Sequence, residues 1–142
     1  MTQQVLYGKE HVERYLATEG EEGYHWREDT TILLLFTRGR KSGKEYITPL
    51  IYREWGDNAY LVVASKGGAP EPPDWYLNLQ ADPDVEVQIR GERFRAQARD
   101  AGPDEQADMW KHMVEVWPHY EEYQEKTDRQ IPVVVLERTE LV

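Results

Sequence analysis

The chain has 142 residues, 39% hydrophobic and 31% charged, and 17 basic against 27 acidic side chains leave a net charge of −10. This balance disfavours a general nucleic-acid binder, whose affinity comes mostly from neutralising phosphates, and no stretch reaches the roughly 20 apolar residues of a membrane helix. The absence of cysteine excludes disulfides, thiolate metal centres and cysteine nucleophiles. The length suits a single domain over residues 1–142. Residues 1–7 lack a basic stretch followed by an apolar one, so no secretory signal is expected and a cytoplasmic setting is favoured.

Residues 5–17 place Val5, Val12, Tyr15 and Leu16 near one face of a predicted helix, which residues 19–23 break. Residues 30–38 hold the apolar run 32–36 and predict a central strand, covered on both faces. A turn at 39–44 leads into a strand over 45–54, which Pro49 confines to an edge or a bulge. A third strand at 60–64 follows. The loop 65–74 carries two glycines and three prolines, and Asp74 is placed to cap a short helix at 75–80. Residues 85–89 alternate apolar and polar, as do Phe94, Ala96 and Ala98 with Arg93, Arg95, Gln97 and Arg99. Pro103 and Asp104 open a helix with Met109, Trp110, Met113, Val114 and Trp117 at helical spacing. Pro118 interrupts it, a second helical piece runs over 119–126, and 131–138 is the last strand. About six mostly antiparallel strands joined by tight turns predict an α+β fold, a small barrel with helices at its rim.

Charge is unevenly spread. Residues 36–53 hold five basic side chains and one acid, whereas residues 100–128 hold nine acids and two bases. A basic island in an acidic chain suggests a local anion site, although a solvated hairpin tip explains it equally well on charge alone. Neither a dinucleotide-binding glycine fingerprint nor a phosphate-binding P-loop is present. The four histidines lack metal-ligand spacing, so no metal is expected.

Four segments carry chemical signal. Gly39-Arg40-Lys41-Ser42-Gly43 offers a tight turn with a guanidinium, an ammonium and a hydroxyl, suited to an anion. Thr48-Pro49-Leu50 leaves one ladder position without a donor, as an ordinary edge strand also would. Ala64-Ser65-Lys66-Gly67-Gly68 permits close backbone approach to a ligand, or is simply a flexible loop. Asp74-Trp75-Tyr76-Leu77-Asn78-Leu79, followed by Ala81-Asp82-Pro83, either anchors a helix in the core or sets its N-terminus against an anionic ligand.

Together with the C-terminal W-P-x-Y-x-x-Y-x-x-x-T-D-R-x-I-P (117–132), these segments resemble the deazaflavin-dependent nitroreductase family, split β-barrel oxidoreductases of actinobacteria that use coenzyme F420. The resemblance covers about residues 30–136. It implies an FMN-binding-like split barrel and hydride transfer from the reduced deazaflavin to a quinone, nitro or other electron-poor acceptor. An FMN-dependent oxidoreductase and a non-catalytic F420-binding protein are the alternatives. By residue, it implies that Arg40, Lys41 and Ser42 hold the anionic tail of the cofactor. Tyr46, Ile47, Thr48, Pro49, Leu50 and Ile51 line it, as do Val63, Ala64, Ser65 and Lys66. Asp74, Trp75, Tyr76, Leu77 and Asn78 complete the site, and Tyr120 closes over the ring. Ser65, Tyr120 and Tyr123 are the candidate catalytic donors, and Met113, Trp117 and Tyr123 the walls for a flat hydrophobic acceptor. Trp117 stands where some members have tyrosine, which sets quinone reduction ahead of bicyclic nitroimidazole reduction. Related barrels often pair as homodimers. Peripheral membrane contact by the N-terminal segment is left open, although the seven acids and three bases of residues 1–30 disfavour anionic lipid.

Overall fold

The computed structural model describes residues 8–141. Four helices, α1 (Gly8–Thr18), α2 (Asp74–Ala81), α3 (Gln106–Val116) and α4 (His119–Glu125), accompany seven strands. The strands are β1 (Ile32–Arg38), β2 (Glu45–Ile51), β3 (Arg53–Trp55), β4 (Ala59–Val63), β5 (Asp84–Ile89), β6 (Glu92–Asp100) and β7 (Val133–Leu141). They form one sheet in the order β2-β1-β5-β6-β7-β4-β3, and every pairing is antiparallel.

β1 is interior, as its apolar run predicts, because alternate residues leave a strand on opposite faces. Leu33 and Leu35 enter a core with Tyr52, Tyr60, Val62, Phe94 and Leu136. Ile32, Leu34 and Phe36 meet Tyr15 of α1 on the other face. Pro49 sits opposite Leu34 on β2, an edge strand whose outer side needs no donor. A third cluster joins Leu61, Val63, Val133 and Val135 of β4 and β7 to Met109, Met113, Trp117 and Tyr120 of the C-terminal helices.

The predicted strand over 45–54 resolves into β2 and β3, which raises the count from about six to seven. Tyr52 is the cause. Its side chain is buried, its hydroxyl lies 3.0 Å from that of Tyr24, and its N–H donates to the Thr31 carbonyl at 3.1 Å. The chain thus turns inward for one residue and leaves one edge of the sheet for the other. The ladder itself does not close, since β2 and β3 each pair on one side only.

Three smaller expectations change. His11, not Leu16, joins Tyr15 on the buried face of α1, because Leu16 is 38% exposed while the His11 ring bonds the Gly23 carbonyl at 2.8 Å. Val5 lies outside the described residues. Asp74 is the first residue of α2 and caps nothing; Pro73 precedes it. α3 begins at Gln106, past Pro103 and Asp104, because the Glu105 carboxylate is taken by the Gly102 N–H at 2.9 Å and by Arg99 at 2.7 Å.

Candidate active site

Two cavities meet at Trp75. One, of about 330 Å³, is walled by Trp26, Pro49, Leu50, Ile51, Val63, Ser65, Lys66, Trp75, Trp117, Tyr120 and Tyr123. The other, of about 340 Å³, is lined by Gly39, Arg40, Lys41, Ser42, Tyr46, Thr48, Asp74, Trp75 and Asn78. Trp75 is 7% exposed and divides a largely apolar compartment from a cationic one.

The cationic compartment is shaped by the turn between β1 and β2. Gly39 N–H donates to the Lys44 carbonyl at 2.7 Å, and Gly43 N–H to the Gly39 carbonyl at 2.9 Å, with Gly43 in the left-handed region at φ 74°. A Cβ on Gly39 would stand 2.6 Å from the Tyr46 ring, so any larger residue there would displace that exposed side chain. Arg40 is a strut as well as a charge. Its Nη1 donates to the buried Asn78 Oδ1 at 2.8 Å and its backbone N–H to the same oxygen at 3.2 Å, while Nη2 reaches Asp74 Oδ1 at 3.4 Å. Lys41 has no ion-pair partner among the described residues, which leaves its ammonium available.

The apolar compartment lies beneath the C-terminal helices. Trp117 packs against Trp26 with centroids 5.4 Å apart and planes tilted by 41°, and its indole N–H donates to the Tyr123 hydroxyl at 3.4 Å. The Tyr120 ring meets Tyr123 edge-on at 6.1 Å. Tyr120 is 5% exposed, and its hydroxyl has no hydrogen-bond partner among the described residues. Burial pushes that hydroxyl well above the ordinary tyrosine value, with the neighbouring Tyr123 adding to the effect, so it stays a neutral donor. A neutral donor without an acceptor, on the wall of an aromatic cavity, suits a ligand oxygen that gains negative charge.

Ten of the expected residues line the apolar cavity or the junction: Pro49, Leu50, Ile51, Val63, Ser65, Lys66, Trp75, Trp117, Tyr120 and Tyr123. Arg40, Lys41, Ser42, Tyr46, Thr48, Asp74 and Asn78 line the cationic one. Five lie off both cavities. Ile47 packs toward α1, Ala64 is sealed in the core, and Met113 is fully buried behind Trp117 and Tyr120. The Tyr76 hydroxyl turns to both carboxylate oxygens of Asp100, at 3.0 and 2.9 Å, and Leu77 touches neither cavity. The N-terminal segment supplies what sequence reading missed, with His11 and Trp26 both on the apolar wall. An isolated tryptophan in a segment of irregular structure carries no periodic signal, and its contact with Trp117 is distant in sequence.

No group of three or more histidine or acidic side chains suited to a metal occurs among the described residues. The arrangement sets a largely apolar cavity beside a cationic one, with Trp75 shared between them. The family model for F420H(2)-dependent quinone reductase matches residues 7–138, and the chain belongs to that family. An F420H(2)-dependent quinone reductase of Mycobacterium tuberculosis is 42% identical over 127 residues, which covers 87% of this chain and 85% of the relative. A solved F420-H2-dependent reductase (FDR-A) superposes with a TM-score of 0.65 at 43% identity, over 75% of this chain and 93% of that one. A solved structure described as a domain-swapped dimer gives a TM-score of 0.71 at 42% identity, over 91% and 96% of the two chains.

Proposed function

We propose that this chain, acting as one domain, reduces a quinone-type acceptor with reduced coenzyme F420. The observation that carries this is the pair of cavities joined at Trp75, one cationic and one aromatic with an unpartnered Tyr120 hydroxyl. The residues present fit the cofactor. Lys41, Arg40 and Ser42 suit an anionic tail, and Trp75, Pro49, Leu50 and Val63 suit a flat ring. When bound, the reduced deazaflavin supplies a hydride.

The protein's own part is positioning, exclusion of water and charge stabilisation. Trp26, Trp117 and Tyr123 wall the acceptor and keep water from it. Tyr120 donates a hydrogen bond to the acceptor oxygen on which negative charge develops, with Ser65 of the same cavity as a second donor. Nitro compounds are a further acceptor class for the same cavity. The sheet is a split barrel in this account, because its two edges, β2 and β3, are separated in the chain by Tyr52 alone. A homodimer is part of the proposal, supported by the 42%-identical structure described as a domain-swapped dimer.

The test is a fluorescence titration with oxidised coenzyme F420 and, separately, with flavin mononucleotide, followed by turnover of a soluble naphthoquinone with the reduced deazaflavin. Saturable binding of the deazaflavin together with quinone-dependent reoxidation is expected. Binding of the flavin alone, or of neither, would refute the assignment.

A further inference from the structure

Among the segments that resemble the family, T-D-R (127–129) has no role in the account so far. Its arginine lies directly behind the wall of the groove. Arg129 Nη1 donates to the Ala64 carbonyl at 3.2 Å, Nη2 to the Ser65 carbonyl at 2.9 Å, and Nε to the Ala69 carbonyl at 3.0 Å. One planar guanidinium thus gathers three carbonyls on both sides of Lys66–Gly68. Only the fixed fork of arginine spans such a set, since a lysine ammonium is a point donor. Arg129 makes no ion pair with a carboxylate among the described residues, so its charge serves these carbonyls alone.

The loop it holds is not relaxed. Lys66, Gly67 and Gly68 have φ of 46°, 63° and 87°, and for Lys66 that left-handed conformation is sterically costly. Ser65 before them is right-handed, with φ −84° and ψ −38°. A right-handed residue followed by a left-handed one turns successive N–H groups toward one concave side, which forms an anion-binding nest. The N–H groups of Ser65, Lys66 and Gly67 have no protein acceptor among the described residues, and all three residues line the apolar cavity. Nothing stands within 4 Å of a Cβ placed on Gly67, so the loop faces open space there. The other side is fixed by α4, where a Cβ on Gly68 would stand 2.5 Å from the Tyr123 carbonyl. Arg129 is itself seated, because its carbonyl accepts from Gln124 Nε2 at 2.7 Å.

We infer that Arg129 is a positioning residue that holds Ser65, Lys66 and Gly67 as a backbone nest for a negatively charged oxygen of the cofactor or of the reduced acceptor. This rests on the proposed cofactor site for its ligand, but not for the geometry of the loop. The test therefore has two readouts, made on Arg129→Lys and Arg129→Ala alongside the unaltered chain. Amide hydrogen exchange at Gly68 and Ala69, whose N–H groups bond the Ser65 and Lys66 carbonyls, is expected to speed up by about tenfold in Arg129→Lys, with β6 and β7 unchanged. Affinity for oxidised coenzyme F420 is expected to fall by about tenfold in the same variant, although its positive charge is kept. Ethylguanidinium is expected to restore part of the affinity of Arg129→Ala and to leave the unaltered chain as it was. Unchanged exchange at Gly68 and Ala69, or full affinity in Arg129→Lys, would overturn the inference. If the unaltered chain bound no deazaflavin, the cofactor site would fall, and the exchange data alone would decide whether Arg129 holds the loop.

Discussion

Tyr120→Phe isolates the proposed hydrogen-bond donor. The substitution deletes one oxygen from a ring that is 5% exposed and leaves its contacts with Trp110 and Tyr123 in place. The hydroxyl has no protein partner among the described residues, so its removal breaks no internal bond. Stability should stay within about 0.5 kcal/mol, as for substitutions that touch no specific interaction. Turnover should not. A hydrogen bond to a charged group contributes about 1.5–3 kcal/mol, and that loss confined to the transition state lowers kcat by roughly 10- to 150-fold. The assay is steady-state oxidation of the reduced deazaflavin by a naphthoquinone, with cofactor affinity measured in parallel. Affinity should hold while kcat falls. Burial keeps the hydroxyl protonated beyond the ordinary tyrosine range, so the unaltered enzyme should lose no activity to Tyr120 ionisation below pH 10. Equal turnover in the variant would refute the donor role, and a large fall in stability would show that the hydroxyl has an internal partner after all.

Lys41→Ala should weaken deazaflavin binding by about five- to tenfold at low salt and less at high salt, with no change in thermal unfolding; titration at two ionic strengths checks both. Gly68→Ala should cost more than 1 kcal/mol or so, because φ is 87° and the new methyl would meet the Tyr123 carbonyl; denaturant unfolding measures it, and a neutral result would show that α4 yields freely. Tyr15→Phe should destabilise by about 1–3 kcal/mol, since the Arg90 N–H, now 2.7 Å from the Tyr15 hydroxyl, would lose its acceptor. Burial raises the Tyr15 hydroxyl from 10.0 to about 12. The folded state therefore holds this proton more tightly than the unfolded one, and stability should decline as pH rises between those values. That decline should be smaller in the phenylalanine variant.

Much of the fold was legible because its signals are local. The run at 32–36 marks an interior strand through apolar density, and Pro49 marks an edge through its missing donor. The inward turn at Tyr52 was not legible, since a tyrosine in a strand looks the same whether it lines a face or breaks the ladder. Cavity-lining residues on turns were legible through glycine and charge, as with Gly39–Lys41. Strand residues were found only in part. Pro49, Leu50 and Ile51 were expected and line the groove, whereas Ile47 and Ala64 were expected and face elsewhere. Strand alternation does not separate them, since Ile47 has the same parity as Pro49 and Ile51, and Ala64 lies one residue past β4; a stretch quoted as a block hides where along the chain the groove begins. Trp26 and Arg129 act through partners distant in sequence, Trp117 for the first and a loop some 60 residues earlier for the second.

The passage of the chain through Tyr52 bears on how the sheet ends. An open sheet presents two rows of unpaired backbone groups, each able to recruit a stray strand. Here both rows belong to one stretch, residues 45–55, and a single buried residue separates them. Peptide bonds rather than a ladder of hydrogen bonds join the margins, so they cannot drift apart without drawing Tyr52 out of the core. A proteolytic cut at that residue would untie the seam and release both margins at once, although not one interstrand hydrogen bond would have been removed.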